Sequence, residues 1–212
     1  MPDRSRQRSP LALTVLALLA EAPMHAYRMH ELIKRRGKDS VVNVTQRNSV
    51  YQTIARLLRS GLISVQSTER DEGRPERVVY EISDDGRSAL TTWLKDMLGA
   101  PAREYPDFPA ALAFLPVLTA KDALLALEQR AGEVDAQLVQ SQAIARQLLD
   151  GGLPRLFLIE DEYKQAMLKA ELAWLKKLVE DLKSKALTWN TQWLRKMAAE
   201  LEGPRAAGSN DK

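Results

Sequence analysis

The side chains best suited to chemistry in this sequence lie on one face of a predicted helix that begins near Thr45 and ends before Gly61. Helical spacing gathers five polar side chains on a single arc of that helix. They are Asn48, Ser49, Gln52, Arg56 and Arg59. Arginine can bond guanine edges bidentately, asparagine and glutamine can do the same to adenine, and all of these side chains also reach phosphates. The arc therefore predicts a helix that reads double-stranded DNA, with Arg56 as one candidate base contact.

The opposite face of the same helix is apolar. Its apolar residues recur at i, i+4, i+7 and i+8, so they form one stripe that must pack against a core. They are Val50, Ile54, Leu57 and Leu58. Gly61 suits the left-handed position just beyond a helix end, and it is expected to stop the helix there.

A two-stranded wing is predicted directly after this helix. Leu62 to Thr68 reads as an extended run, and Val78 to Ser83 reads as the returning strand, with Tyr80 and Ile82 on one face. The turn between them spans Glu69 to Glu76 and carries Gly73 and Pro75, with the basic residues Arg70, Arg74 and Arg77 at or near its tip. Helix, hairpin and basic tip together predict a winged helix-turn-helix.

The charge distribution favours a nucleic-acid face in the same region. Residues 1–60 hold 11 Lys and Arg against 4 Asp and Glu, whereas residues 61–90 hold 4 against 7. A local excess of positive charge is typical of a surface that meets phosphates, although a merely basic solvated surface would give the same count.

Two helices are predicted before the reading helix. The first starts with Ser9 as N-cap and Pro10 at the first helical position, and it runs to Glu21. The second runs from about His25 to Arg36, with Ala26, Met29 and Ile33 facing inward. Its basic end, Lys34 to Arg36, fits either helix-dipole compensation or phosphate contact.

The arginine-containing residues 1–8 are interpreted as a frayed terminus, with contact to a phosphate backbone or minor groove as the alternative. A short strand against the wing is expected from Val41, Val42 and Val44.

The boundaries of the predicted domains follow from capping and proline content. Ser83 is expected to cap a fourth helix, whose apolar stripe is Leu90, Trp93, Leu94 and Met97. We assign residues 1–99 to a winged helix-turn-helix domain and residues 100–118, which contain four prolines, to a linker with a short helix. Residues 119–202 are assigned to a helical dimerisation domain, and residues 203–212 to a disordered tail.

The helical domain contains two heptad patterns separated by Gly151, Gly152 and Pro154. The first pattern is Leu124, Leu127, Ala131, Val134, Leu138, Ser141, Ala145 and Leu148. The second, read as one long helix, is Leu168, Leu172, Leu175, Val179, Leu182, Ala186, Trp189 and Trp193. A flanking apolar stripe adds Tyr163, Ala170, Trp174 and Leu178. One antiparallel partner would leave that stripe uncovered, so the pattern predicts a homodimer. The expected class is therefore mainly α with a small β wing, followed by a C-terminal antiparallel coiled-coil domain.

The four tryptophans admit two interpretations. Flat aromatic effectors could stack between such rings in a dimer core, whereas tryptophans also dominate cores and interfaces that hold no ligand. The candidate effector residues are Trp93, Trp174, Trp189 and Trp193.

Catalytic and metal chemistry are not indicated. The only two histidines, His25 and His30, lie at a spacing that does not place both on one helix face. The chain has no cysteine, no nucleophile motif and no glycine-rich phosphate loop, so we expect no enzyme, cofactor or metal site.

The apolar run from Leu11 to Ala20 is too short to span a bilayer, and we expect a cytoplasmic protein without membrane contact.

Two segments resemble one known family. The run NSVYQTIARLLRSGLISVQSTERDEGRPERVVYEISDDGRSAL, with the earlier SPLALTVLALLAEAPMHAYRMHELI, is similar to the PadR family of bacterial transcriptional regulators over roughly residues 9–98. Ala26 stands where that family usually has glycine, and Asn48-Ser49-Val50 replaces its usual Gly-Thr-Leu. The run YPDFPAALAFLPVL and the long helices after it resemble the longer branch, which has a helical dimerisation domain.

The resemblance implies residue roles and a mode of regulation. Tyr27 and Tyr51 would bond backbone phosphates, and Arg74 would reach an adjacent groove or phosphate. Arg47 lies in the first turn of the reading helix, from which its long side chain can swing out to DNA. The longer branch acts mainly through repressors, some of which are released by aromatic or drug-like ligands.

These observations predict a homodimeric, sequence-specific DNA-binding regulator, expected to be a repressor of a palindromic operator and released by a small aromatic effector. The predicted DNA contacts are Arg47, Asn48, Ser49, Tyr51, Gln52, Arg56, Tyr27, Arg74 and Arg77. The alternative is a protein-interaction module, in which the winged helix binds a partner protein and the heptads supply an assembly surface without sequence-specific DNA binding.

Overall fold

The computed structural model describes residues 8–44, 47–69 and 77–202. The chain divides into two compact units, Met1–Glu104 and Tyr105–Lys212, and their boundary lies inside the predicted linker. Within the described residues the fold is mainly helical with one small antiparallel sheet, as predicted. The predicted tail, residues 203–212, lies outside the described residues.

The N-terminal unit is built on four helices, which are α1 (Pro10–Glu21), α2 (Ala26–Arg35), α3 (Arg47–Arg59) and α4 (Asp84–Gly99). The predicted start of α1 is confirmed, because the Ser9 hydroxyl accepts the Ala12 N–H at 3.1 Å and Pro10 occupies the first turn. The inward face predicted for α2 is also confirmed, since Ala26, Met29 and Ile33 are buried.

Three short strands form the sheet in the order β1–β3–β2. They are β1 (Met24–His25), β2 (Ile63–Glu69) and β3 (Arg77–Ile82), and both pairings are antiparallel. The register between β2 and β3 shifts between Val65 and Ser67, as at a β-bulge, which bends the wing locally.

The strand expected from Val41, Val42 and Val44 was wrong. That segment follows a 3-10 turn at Lys38–Ser40, and Val42 and Val44 are buried in the core without joining a strand. The third strand is Met24–His25, because the chain passes beside β3 between α1 and α2. β-branched residues in this segment reflect burial, which serves a packed loop as well as a strand.

The core of the N-terminal unit gathers one face from each helix and from the sheet. Leu16, Met29, Ile33 and Leu57 are among its fully buried side chains. Gly86 is required at the start of α4, because a Cβ there would lie 2.0 Å from the Leu62 carbonyl oxygen.

The predicted stripe on α4 is only half buried. Leu90 and Trp93 pack against the core, whereas Leu94 and Met97 are exposed. The reason is length, because α4 continues for six residues beyond Trp93, the last of its positions that packs against the core. The predicted stripe therefore packs against the core of this unit only through Leu90 and Trp93.

The C-terminal unit contains α5 (Asp107–Ala113), α6 (Ala120–Asp150), α7 (Ile159–Lys183) and α8 (Thr191–Glu202). The heptad seam of α6 packs on α7, with Leu127, Val134 and Leu138 buried against Leu172 and Leu175. The polar position in the seam is satisfied across the pair, since the Gln165 amide lies 3.2 Å from the Ser141 hydroxyl. The glycine break is also confirmed, with Gly152 at φ +86°.

The second heptad pattern does not form one continuous helix. α7 ends at Lys183, Lys185 takes a left-handed conformation at φ +63°, and α8 starts only at Thr191. The physical reason is local: Asn190 accepts the Trp193 N–H at 2.8 Å as an N-cap, and asparagine favours such a cap over a helix interior. No helix in the described parts of the chain is long and apolar enough to cross a membrane.

Candidate nucleic-acid interface

Helix α3 has one buried face and one exposed face. Val50, Ile54 and Leu57 are buried and Leu58 is partly buried against the same core, which confirms the predicted stripe. Thr53 is buried beside them, and it is the one polar residue in the buried set of described residues. The buried face therefore holds α3 rigidly and turns the opposite face toward solvent.

The end of α3 places the wing. Gly61 has φ +70°, its N–H bonds the Leu58 carbonyl at 3.0 Å, and the Leu62 N–H bonds the Leu57 carbonyl at 3.0 Å. This pair of bonds is a Schellman motif, which needs a left-handed residue at Gly61. The Ser83 hydroxyl then donates to the Gly61 carbonyl at 2.7 Å and accepts the Gly86 N–H at 3.0 Å. One serine thus joins the end of α3 to the start of α4.

The exposed face of α3 carries most of the predicted reading residues. Asn48, Gln52 and Arg59 are exposed, and Ser49 is half-buried. Tyr51, at the edge of the buried stripe, is 54% exposed. Amide and guanidinium groups on one solvent-facing helix surface have the donor and acceptor sets that match base edges in a major groove.

Arg56 is the exception among the predicted reading residues. Its side chain is half-buried, and Nη2 donates to the Ser9 hydroxyl at the start of α1, at 3.2 Å. Its Nε is buried without a hydrogen-bond partner among the described residues. The guanidinium is therefore hydrogen-bonded within the unit, and the Arg56 side chain extends from α3 to the start of α1.

The two predicted phosphate-binding tyrosines are both strongly exposed. Tyr27, in the first turn of α2, is 61% exposed, and its ring stacks on His25 with 6.3 Å between centroids. Tyr51 lies near Tyr80 of β3, whose own pKa is raised, first by burial and then by the proximity of Tyr51. Phenolic hydroxyls in such positions can donate to phosphate oxygens.

The wing is described only in its strands. Arg77 opens β3 and is half-buried. Arg74 and the rest of the predicted basic tip, residues 70–76, lie outside the described residues. The side chain of Arg47 lies outside them as well. On the strands, the Glu81 carboxylate accepts from Ser64 and Gln66 at 3.3 Å each.

The basic end of α2 is partly neutralised. Arg36 bonds Glu21 through both terminal nitrogens at 2.7 and 2.8 Å. The hydrogen bond from Arg36 lowers the pKa of Glu21, and the same bond raises the pKa of Arg36. Of the three basic residues predicted there, one is thus committed to an ion pair between α1 and α2.

The four tryptophans do not form one group. Trp93 belongs to the buried core of the N-terminal unit, whereas the other three lie in the C-terminal unit. Trp174 packs edge-on against Phe108 at 6.1 Å, and Trp189 donates its indole N–H to the Leu118 carbonyl at 2.8 Å. Trp193 is half-exposed on α8. Trp93 therefore has the packing role that its alternative interpretation assigned.

Arg130 forms an aromatic and ionic cluster that the sequence did not reveal. Its guanidinium lies 3.6 Å above the Phe108 ring and bonds Glu171 on α7 at 2.6 Å. The cluster fixes α5 on α6 and α7. The two partners lie 22 and 41 residues from Arg130 in the sequence, so they leave no local pattern that predicts this cluster.

Sequence reasoning did not predict the bond between Arg56 and Ser9 or the two contacts of the His25 side chain, with the Arg28 N–H and the Tyr27 ring. A side-chain acceptor at the start of a predicted helix is a signal for an N-cap, and His25 stands at the predicted start of α2. Within the described residues, no group of three or more His, Asp or Glu side chains is placed to hold a metal ion.

Comparisons with known proteins agree with this geometry. Residues 15–92 match the model of the transcriptional regulator PadR-like family. No curated protein matches the sequence significantly. Bacillus subtilis PadR in complex with operator DNA has a similar fold, with a TM-score of 0.68 at 17% identity over 82% of this chain and 99% of that one.

Two further solved structures have the same fold at low identity. Bacillus subtilis PadR in complex with p-coumaric acid gives a TM-score of 0.64 at 16% identity over 86% of this chain and 99% of that one. The Vibrio cholerae virulence activator AphA gives 0.64 at 20% identity over 82% and 99%. The matched residues include α1 from Val15, the whole of α2, α3 and the sheet, and much of α4, so the winged-helix part of this chain is similar to the transcriptional regulator PadR-like family.

Proposed function

We propose that the chain is a homodimeric repressor that reads a palindromic operator through the exposed face of α3 and is released by a small aromatic effector. The observation that carries the proposal is the two-faced helix α3. Its apolar face is buried, and Asn48, Gln52 and Arg59 are exposed beside Tyr51. A rigid helix with amides and a guanidinium on its solvent side fits the major groove.

Each proposed contact follows from the position of its side chain. Asn48 and Gln52 are assigned to base edges, because their amides are exposed on the arc that faces away from the core. Tyr51 and Tyr27 are assigned to phosphates on either side of the groove. Arg59 is exposed near the end of α3, where it would meet a phosphate.

The remaining predicted contacts are assigned more peripheral roles. Ser49 would bond a base edge or phosphate from its half-buried position, and Arg47 would reach the backbone from the first turn. Arg74 and Arg77 would bring the wing to a neighbouring groove or phosphate. Arg56 would reach DNA only by leaving Ser9, so we assign it to support of α3.

Homodimer formation is supported by apolar side chains that the C-terminal unit leaves exposed. Leu156, Phe157 and Ile159 near the α6–α7 turn are exposed, and so are Tyr163 and Trp174 along α7. A continuous apolar stripe of this kind is usually covered by another chain. A second copy would also present a second α3 and so fix the half-site spacing on DNA.

The effector proposal rests on the aromatic residues of the C-terminal unit. Trp174 and Trp193 are each about half-exposed, which leaves indole faces able to stack on a flat ring. One solved neighbour of similar fold is a complex with p-coumaric acid. Tryptophan fluorescence titrated with aromatic acids tests the proposal, and an absence of saturable quenching would leave Trp174 and Trp193 with an interface role only.

The central experiment measures DNA binding by fluorescence anisotropy, with fragments from upstream of the protein's own gene and excess nonspecific DNA. Gln52→Ala should weaken operator binding by about 1 to 3 kcal/mol and relax preference at one base pair. The matched control is Gln140→Ala, the same change at an exposed position of α6. Binding that disappears on addition of nonspecific DNA, or that ignores Gln52→Ala, would favour the protein-interaction module.

Two further measurements test the dimer and the sign of regulation. Trp174→Lys should shift sedimentation toward monomer, whereas Ala173→Lys, at the neighbouring exposed position, should not. A reporter driven by the bound promoter should rise when the gene is deleted. A fall would make the protein an activator.

A further inference from the structure

His25 belongs to both elements at the junction between β1 and α2. His25 is the last residue of β1, where it pairs with Val79 of β3, and it is also the N-cap of α2 with φ −84° and ψ 158°. The sheet and α2 therefore meet at one residue without an intervening loop.

The imidazole of His25 makes two contacts. Its Nδ1 accepts the backbone N–H of Arg28 at 3.1 Å, which satisfies one of the free N–H groups of the first turn of α2. Its ring stacks on Tyr27, with 6.3 Å between centroids and 29° between planes. Serine, threonine, aspartate and asparagine are the usual N-caps. Histidine is the cap whose acceptor is lost by protonation near neutral pH.

Tyr27 relies on this contact. At 61% exposure its ring is not held by the core, and the ring contact that the structure shows for it is the stack on His25. Loss of the N-cap loosens the turn that carries Tyr27, and rotation of the imidazole removes the stacking surface. Both effects act on the orientation of the phenol.

We propose that His25 is a positioning residue that holds Tyr27 toward a DNA phosphate, so that DNA binding weakens when its imidazole is protonated. This inference rests on the proposed function, in which Tyr27 contacts the DNA backbone. Protonated Nδ1 cannot accept the Arg28 N–H, and a positive ring at the N-terminus of α2 opposes the helix dipole. The first turn of α2 then loses its cap.

The charged and titratable groups around His25 leave it able to lose the N-cap of α2 on protonation. Tyr27 and Arg28 follow on α2, and Arg77 and Glu81 lie two positions on either side of Val79 on β3. The Glu81 carboxylate already accepts from Ser64 and Gln66 of β2. The Glu81 carboxylate is thus engaged with β2, on the far side of β3 from β1.

The experiment measures operator affinity by anisotropy between pH 5.5 and 8 at constant ionic strength. Wild type should lose on the order of fivefold in affinity toward acid pH, the effect of about one N-cap. His25→Asn supplies a cap acceptor that does not titrate, so it should flatten the profile. His30→Asn is the matched control, because it removes the chain's other histidine from the same helix and should keep the wild-type profile.

A direct readout of the imidazole accompanies the binding data. Nitrogen-15 NMR should show His25 as the neutral tautomer with its proton on Nε2 at pH 8, because Nδ1 is the acceptor. A proton on Nδ1, or a wild-type profile retained in His25→Asn, would overturn the inference. A third result would also overturn the inference: the operator affinity of the wild type increases at acid pH, and this increase is absent in His25→Asn. The imidazolium would then contact DNA directly.

Failure of this inference is distinguishable from failure of the proposed function. If Gln52→Ala and Tyr27→Ala weaken operator binding while His25→Asn leaves the pH profile unchanged, only the role of His25 is refuted. If none of these variants alters DNA binding, the proposed interface itself is refuted.

Discussion

Replacing Ser9 by alanine is expected to destabilise the N-terminal unit far more when Arg56 is present than when it is absent. The Ser9 hydroxyl accepts two hydrogen bonds, one from the Ala12 N–H at 3.1 Å and one from Arg56 Nη2 at 3.2 Å. Arg56 Nε is already buried without a partner among the described residues. Replacing Ser9 by alanine therefore removes the N-cap of α1. It also leaves Nη2 of the half-buried Arg56 guanidinium without its hydrogen-bond acceptor.

The magnitudes follow from those contacts. Loss of an N-cap costs about 1 kcal/mol, and a buried donor left unpaired costs about 1 to 3 kcal/mol more. Ser9→Ala should thus cost about 2 to 4 kcal/mol in wild type but only about 1 kcal/mol in Arg56→Ala. Arg56→Ala alone should stay within about 1 kcal/mol, because the lost hydrogen bond is offset by removal of the unpartnered Nε.

Urea unfolding of the full chain measures this cycle. Trp93 is the tryptophan of the N-terminal core, so a background with phenylalanine at 174, 189 and 193 makes its fluorescence report that unit. Ser88→Ala, at an exposed position of α4, is the matched control and should change stability by less than about 0.5 kcal/mol. Equal costs of Ser9→Ala in both backgrounds would refute the reasoning. If Arg56→Ala reduces base preference in DNA binding without lowering the stability of the unit, Arg56 contacts a base edge.

Three smaller predictions concern other parts of the fold. Gly86→Ala should unfold or strongly destabilise the N-terminal unit by circular dichroism, since its Cβ would lie 2.0 Å from the Leu62 carbonyl oxygen; a change in melting temperature of only a few degrees would contradict the close approach. The exposed Glu21–Arg36 pair should contribute less than about 1 kcal/mol. Because Arg36 lowers the pKa of Glu21, that contribution is present above the ordinary glutamate pKa and is lost as the pH falls through the lowered one, so wild type and Glu21→Gln should converge in acid urea titrations. Lys185→Gly should stabilise the C-terminal unit by about 0.5 to 1 kcal/mol, because φ is +63° there; unchanged stability would mean that the left-handed turn carries no strain.

Much of the fold could be predicted because its signals are local. Ser9 and Ser83 cap their helices as their positions indicate, and Gly61 and Gly152 adopt the left-handed conformation that ends a helix. Periodicity alone identified the buried face of α3 and the seam of α6, because each is a repeat within one helix.

Errors arose where a local pattern was compatible with two structures. The valines at 41, 42 and 44 indicated burial, and burial does not distinguish a strand from a packed loop. The second heptad pattern continued past Lys183, but Asn190 starts a new helix within it. Hydrophobic spacing reports which side chains face inward, and it does not report whether the backbone between them is continuous.

The same distinction between local and long-range information applies to the exposed face of α3. Sequence alone determined which helix presents polar groups and which of its faces is buried, since both follow from helical geometry and side-chain polarity. Tertiary structure decided which of those polar groups are available. Arg56 finds its partner 47 residues away at the start of α1, and the backbone of His25 pairs with Val79 of β3, more than 50 residues along the chain. A side chain's partner depends on which distant backbone folding brings beside it, so it is set only when the elements pack.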